Sequence, residues 1–229
     1  MKEILEFLTK KFKLRPNDIT LYELAVTHPS CNAENNTKHH DYERLEFVGD
    51  SVIGFVCADL IFKLHPEMDQ GLMSKLRSYL VCSKSLSAYT RKLGLVEYIK
   101  TGHSISYEQL ERSDKILEDV FEALIGATYL DLGIKLTYQV IKNIFLEDIK
   151  KTGIDEIVDA KTRLQEDIQA EYRDAVQYVL VSTDGPAHNR TFTVEVVFNG
   201  IVLGRGTGKS KKAAEEAAAK DALSKKVGI

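Results

Sequence analysis

The sequence predicts an all-α unit followed by a small α+β unit of order α-β-β-β-α. Two observations carry that reading. Up to about Thr152 the apolar residues recur at helical spacing almost throughout. After "KTGIDEIVD" the period drops to two: in "TFTVEVVF", Phe192, Val194, Val196 and Phe198 alternate with Thr193, Glu195 and Val197. A chain of 229 residues suits one or two domains, and 44% hydrophobic content is enough for a core. The change of period places the domains at 1–152 and 158–229, joined by a short linker with one Gly and no Pro.

The elements follow in order. Residues 3–14 form an amphipathic helix that Pro16 ends. A second helix covers 19–27. "HPSCNAENNTKHH" is polar and Asn-rich and reads as a loop. A long helix covers 41–64 and stops before Pro66. Two more cover 70–82 and 84–93, with Gly94 as the C-cap. "KTGHSISYEQLERS" reads as a connection. Helices over 114–131 and 134–150 are separated by Gly133. In the second unit a helix over 159–173 precedes the strands "VQYVLVSTDG", "TFTVEVVF" and "IVLGRGTG". Asn199-Gly200 is a strong hairpin signal between the last two. "KSKKAAEEAAAKDALSKK" closes as a helix.

Composition narrows the function classes. The net charge is -3 and the pI about 6.1, so any nucleic-acid signal must be local. "MKEILEFLTKKFKL" scatters charge through its apolar residues, unlike a signal peptide. "SVIGFVCADLIF" is broken by Asp59 and too short to span a bilayer. Cys31, Cys57 and Cys82 are odd in number and form no CxxC, which points to a reduced cytoplasmic protein without structural disulfides; no membrane partner is expected.

Two acidic segments stand out. In "ERLEFVGDS", Glu43, Glu46 and Asp50 are spaced i, i+3, i+7 and share one helical face. Taken alone, they read as a solvated stripe. In "ILEDVFEALIGATYLD", Asp119 and Glu122 lie at i, i+3 among Leu117, Val120, Phe121 and Leu124. A helix so apolar is central, and buried carboxylates are costly unless paired or bound to metal. Pairing with Lys115 or Arg44 is one solution. The other is that the two acidic pairs face each other across a cleft. Such a cluster has oxygen ligands only, which suit Mg²⁺ or Mn²⁺ rather than Zn²⁺. Its natural chemistry is metal-assisted phosphodiester hydrolysis. Gly49 costs roughly 1 kcal/mol inside a helix, and a close backbone approach is one reason to keep it.

The second unit is not basic overall: from Asp155 on it holds 11 Lys and Arg against 12 Asp and Glu, a net of -1. Its positive charge is concentrated instead. Lys209, Lys211 and Lys212 stand at the start of the last helix, the end that already carries partial positive charge. Lysines there suit a phosphate. His188 in "DGPAHNRTF" could reach a groove, and Gln165 and Glu166 are suited to sugar hydroxyls.

"ERLEFVGDS" with "EDVFEALIGATYLD" resembles the signature segments of bacterial ribonuclease III. "KTRLQE", "GPAHNRTF" and "GKSKKAAEEAAA" resemble the double-stranded RNA-binding domain that follows it in that family. The resemblance implies an all-α nuclease domain that acts on double-stranded RNA as a homodimer, with Mg²⁺ as cofactor, Mn²⁺ as its substitute and no small organic cofactor. It implies staggered cuts with 5′ phosphates and short 3′ overhangs, made in the maturation of RNAs such as ribosomal precursors. By motif match it assigns Glu46, Asp50, Asp119 and Glu122 to the metal and Glu43 to a nearby catalytic acid. Phe47 falls on an aromatic that enters the partner subunit. Gln165, Glu166, His188, Lys209, Lys211 and Lys212 fall on RNA contacts. Three positions depart from the family pattern: Gln70 replaces a common Glu, and Lys115 and Glu118 replace small residues.

Overall fold

The computed structural model describes residues 2–35, 38, 40–153, 159–186 and 189–226. They fall in two compact units, Met1–Thr152 and Gly153–Ile229.

The first unit is helical. Its elements are α1 (Lys2–Phe12), α2 (Ile19–Ala25), α3 (Ser30–Asn35), α4 (Glu43–Leu64), α5 (Gln70–Leu80), α6 (Ser83–Leu93), α7 (Tyr107–Arg112) and α8 (Asp114–Lys151). Two of these correct the sequence reading. The segment read as a loop holds α3, and the segment read as a connection holds α7. Both have six residues, too few to show a 3.6-residue period. Local capping explains α7: Ser106 and Gln109 form a reciprocal capping box. Gly94 closes α6 in the left-handed conformation (φ 75°), as its position predicts. Gly133 (φ 76°, ψ 170°) breaks α8 into two helical segments, also as predicted.

The first segment of α8 is the centre of this unit. Leu117, Val120, Phe121, Leu124 and Ile125 are buried, so the helix is covered on all sides. Tyr89, Phe121 and Phe145 form an aromatic cluster with centroids 4.8 to 6.1 Å apart. Helix α4 lies along α8 with Leu45, Ile53, Val56 and Leu60 turned inward. Two glycines let the backbones touch. A Cβ on Gly49 would stand 1.7 Å from the Glu122 carbonyl oxygen. A Cβ on Gly126 would stand 2.1 Å from that of Leu45. This contact brings the acidic face of α4 against that of α8.

The second unit comprises α9 (Ala160–Tyr172), β1 (Gln177–Asp184), β2 (Thr191–Phe198), β3 (Ile201–Gly208) and α10 (Lys211–Lys226). The strands form an antiparallel sheet in the order β1-β2-β3. Phe198 pairs with Ile201 across the turn, where Asn199 (φ 49°) and Gly200 (φ 79°) both take positive φ. That is the type I′ hairpin the dipeptide predicts. Val194, Val196 and Phe198 pack against Leu164 and Ile168 of α9 and the alanines of α10. Gly204 and Gly206 of β3 face Ala214, Ala218 and Ala222; a Cβ on Gly206 would stand 2.1 Å from the Ala218 nitrogen. The alternating glycines and the Ala-rich helix are thus one packing solution. Among the described residues, no helix is long and apolar enough to cross a membrane.

Candidate functional site

The two acidic pairs meet. Glu46, Asp119 and Glu122 each offer an oxygen, and these oxygens lie within 4.8 Å of one another. Glu46, Glu122, Glu43, Phe47 and Asp50 line one cavity of about 350 Å³, together with Lys115 and Glu118. Asp50 and Glu43 stand on its exposed rim, outside the close group of three. A larger cavity of about 460 Å³ lies in the second unit, walled by Leu164, Ile168, Phe198 and Leu203. Its lining is mostly apolar, and it holds no comparable meeting of charged groups.

Asp119 and Glu122 are each only 6% exposed. Burial, then the charges of Asp50, Glu118 and Glu46, push the Glu122 carboxyl up to about 8. Burial, then Asp119, raises Glu46 as well, against the pull of Lys115. Tyr42 donates to Asp119 Oδ2 at 3.3 Å. Burial and the Asp119 charge hold its phenol far above the ordinary value, so it stays a donor. Lys115 Nζ is 2.6 Å from Asp119 Oδ1, a direct contact between ammonium and carboxylate. This pairing with Asp119 is the main reason the Lys115 ammonium is held well above its ordinary range. Lys115 also lies 3.5 Å from Glu46 Oε1 and 3.8 Å from Glu118 Oε2.

This donor set fits a hard dication. It consists of carboxylate oxygens alone, two of them on groups whose pKa burial raises. Gln70 is the exposed first residue of α5 and does not line the cavity.

Phe47 is 78% exposed on the face of α4 beside the cavity. Phe55 and Phe62, 60% and 68% exposed, extend it into an apolar stripe. Sequence reasoning missed these two because an apolar residue in an apolar helix reads as core. It also missed Tyr42, whose role rests on a contact 77 positions away in the chain.

In the second unit Lys211 and Lys212 open α10 and are exposed. Lys209 Nζ donates to Asn189 Oδ1 at 2.8 Å and Thr191 Oγ1 at 3.3 Å, tying the start of α10 to the first hairpin. Gln165 turns its amide oxygen to the Val176 N–H at 3.3 Å, and Glu166 is exposed on α9. Helices α9 and α10 are joined by the Lys161–Glu215 ion pair and by the Ala160 N–H on Glu216. His188 lies outside the described residues.

Comparison with known proteins identifies the family of both units. The family model for Ribonuclease-III-like proteins matches residues 18–149, and the double-stranded RNA binding motif matches 160–226. Ribonuclease 3 of Streptococcus pyogenes serotype M1 is 41% identical over 226 residues, 97% of each chain. Ribonuclease 3 of serotype M3, strain SSI-1, gives the same figures. A crystal structure of the nuclease domain of ribonuclease III from Campylobacter jejuni superposes with a TM-score of 0.59 at 29% identity, covering 67% of this chain and 100% of that one. A second structure of that domain, described for flexibility in a region involved in dimer formation, gives 0.54 at 31% identity, covering 64% and 96%. With both motifs in order and close relatives along nearly its whole length, this chain belongs to the ribonuclease III family of nucleases.

Proposed function

We propose that this chain is an endoribonuclease that cuts double-stranded RNA by Mg²⁺-assisted phosphodiester hydrolysis, with Mn²⁺ as a substitute. The observation that carries the reading is the convergence of Glu46, Asp119 and Glu122 in an oxygen-only set. These three and Asp50 would hold the ion, and Glu43 is the outer acid of the same cavity. A bound dication makes water nucleophilic at neutral pH and offsets charge on the scissile phosphate. The chain's own residues prepare that site. Tyr42 fixes one oxygen of Asp119, and the other faces Lys115. Glu122, whose carboxyl burial pushes up to about 8, would have to be ionised to serve as a ligand.

The products are 5′-phosphate ends with short 3′ overhangs. A homodimer explains the stagger: the two strands of a duplex are related by local two-fold symmetry, and a C₂ pair brings one cluster to each. The stripe of Phe47, Phe55 and Phe62 supplies the face for that dimer. The second unit holds the duplex through Lys209, Lys211, Lys212, Gln165, Glu166 and His188. A-form RNA hides its bases and offers phosphates and 2′-hydroxyls, which suit lysines and amides. The chain acts in the cytoplasm on structured transcripts such as ribosomal RNA precursors. Its free cysteines are in keeping with a reducing compartment.

Incubation with a long RNA duplex in Mg²⁺, Ca²⁺ or EDTA tests this reading. Cutting to short duplexes in Mg²⁺ alone supports it. Binding without cutting under every metal overturns it in favour of a duplex-binding scaffold.

A further inference from the structure

We propose that Lys115 is a resident counter-ion of the carboxylate site, and that a divalent cation must displace its ammonium group to enter. The proposal rests on the metal reading above and concerns a residue that reading does not use.

The positions of the atoms carry it. Lys115 Nζ stands 2.6 Å from an Asp119 oxygen and 3.5 Å from a Glu46 oxygen, so it touches two of the four prospective ligands. A dication bonded to both carboxylates, at about 2.0–2.1 Å from each oxygen, would need the same space. Two cations cannot share it, because like charges a few ångströms apart repel strongly in a partly buried site. Among the described residues, each ion pair made by Glu46, Glu118 and Asp119 is made with Lys115.

The lysine has a reason to be there. Buried carboxylates without compensation are costly, and Asp119 is buried. Placed four residues before Asp119 on α8, Lys115 reaches it along the same helical face and also reaches across to α4. It also has a way out. Its side chain is 68% exposed, and a flexible stem lets the ammonium swing into water. The arrangement also sets a preference among ions. A monovalent ion would only replace one single charge by another, whereas a dication adds charge to a strongly acidic site.

The test is a titration of the full chain with Mn²⁺ in the absence of RNA, followed by the spin-resonance signal of free Mn²⁺. The variants are Lys115→Met, Lys115→Arg and Glu122→Gln. The last identifies the site, since its binding must fall. Lys115→Met should bind Mn²⁺ about twofold to fivefold tighter than the native chain, the range expected for losing a largely exposed ion pair. Lys115→Arg should resemble the native chain. Melting temperature gives a second readout: without metal, Lys115→Met should melt below the native chain, and saturating Mn²⁺ should close or reverse the gap. Equal or weaker affinity in Lys115→Met, with binding still lost in Glu122→Gln, overturns the counter-ion alone. No Mn²⁺ binding in any variant overturns the metal reading beneath it as well.

Discussion

Gly49 of α4 approaches Glu122 of α8 so closely that a Cβ on the glycine would lie 1.7 Å from the Glu122 carbonyl oxygen. One helix contact therefore serves both the core and the site. Glu46 lies about one turn before Gly49, and Glu122 carries the carbonyl that the glycine meets. The spacing between the acidic pairs is set by the absence of a side chain.

Gly49→Ala should be destabilising although Ala is the better helix former. A propensity gain of roughly 1 kcal/mol is opposed by a backbone clash that cannot be relieved by rotating a side chain. A net loss of about 2–3 kcal/mol is expected, at the upper end of overpacking effects. Urea unfolding followed by circular dichroism measures it. A variant as stable as the native chain would mean that α4 and α8 shift apart at little cost.

Much of this site was legible because its signals are local. Two acidic segments at helical spacing, one of them in a strongly apolar helix, are visible in the sequence, and so are lysines at the wrong end of a helix. The helix break at Gly133 and the Asn199-Gly200 hairpin are equally local. What escaped depends on contacts between distant segments. Nothing near Tyr42 marks it as the donor to Asp119. Lys115 was visible as a pairing candidate, but its place among three carboxylates follows from α4 packing on α8. Gln165 reads as suited to sugar hydroxyls, and the fold turns its oxygen to the Val176 backbone. Helices α3 and α7 were missed because six residues carry no period.

Glu122→Gln should reduce cleavage of duplex RNA by about a hundredfold or more, while duplex binding stays intact. The change removes a ligand charge and almost no volume, and weakening even the outer supports of a metal site costs about 10–100-fold. Cleavage rate and gel-shift affinity, measured side by side, separate the two effects. Native-level cutting by this variant would sink the assignment of Glu122.

The same residue predicts a pH dependence of the metal-free fold. Burial holds the Glu122 carboxyl near 8, above its ordinary 4.5. Between those values the folded state binds more protons than the unfolded one, so its contribution to stability falls as pH rises. The contribution is fully present below about 4.5 and lost on passing through about 8. Glu46, also raised, acts in the same direction. Melting temperatures in EDTA should therefore fall with rising pH more steeply for the native chain than for Glu122→Gln. Parallel curves would show that Glu122 is ionised throughout.

Phe47→Ala with Phe55→Ala and Phe62→Ala should convert a dimer into a folded monomer. All three rings are largely exposed within one chain, so their loss costs the monomer little packing. In a dimer each buried ring would contribute about 1.5–3 kcal/mol. Sedimentation velocity gives the state, and circular dichroism shows whether the helices persist. An unchanged dimer would place the interface elsewhere.

Lys211→Ala with Lys212→Ala should weaken duplex binding and flatten its dependence on salt. These lysines open α10, where the helix dipole favours an anion and the first turn has no acidic residue. Each phosphate contact releases condensed counterions, so the slope of log affinity against log salt should fall by about 1 per lysine. Lys209→Ala should act differently. Its ammonium is bonded to Asn189 and Thr191, so its removal loosens the first hairpin as well as removing charge. Affinity measured at several salt concentrations distinguishes the two cases. An unchanged slope in the double variant would mean that Lys211 and Lys212 are merely solvated, and that the duplex is held by another face.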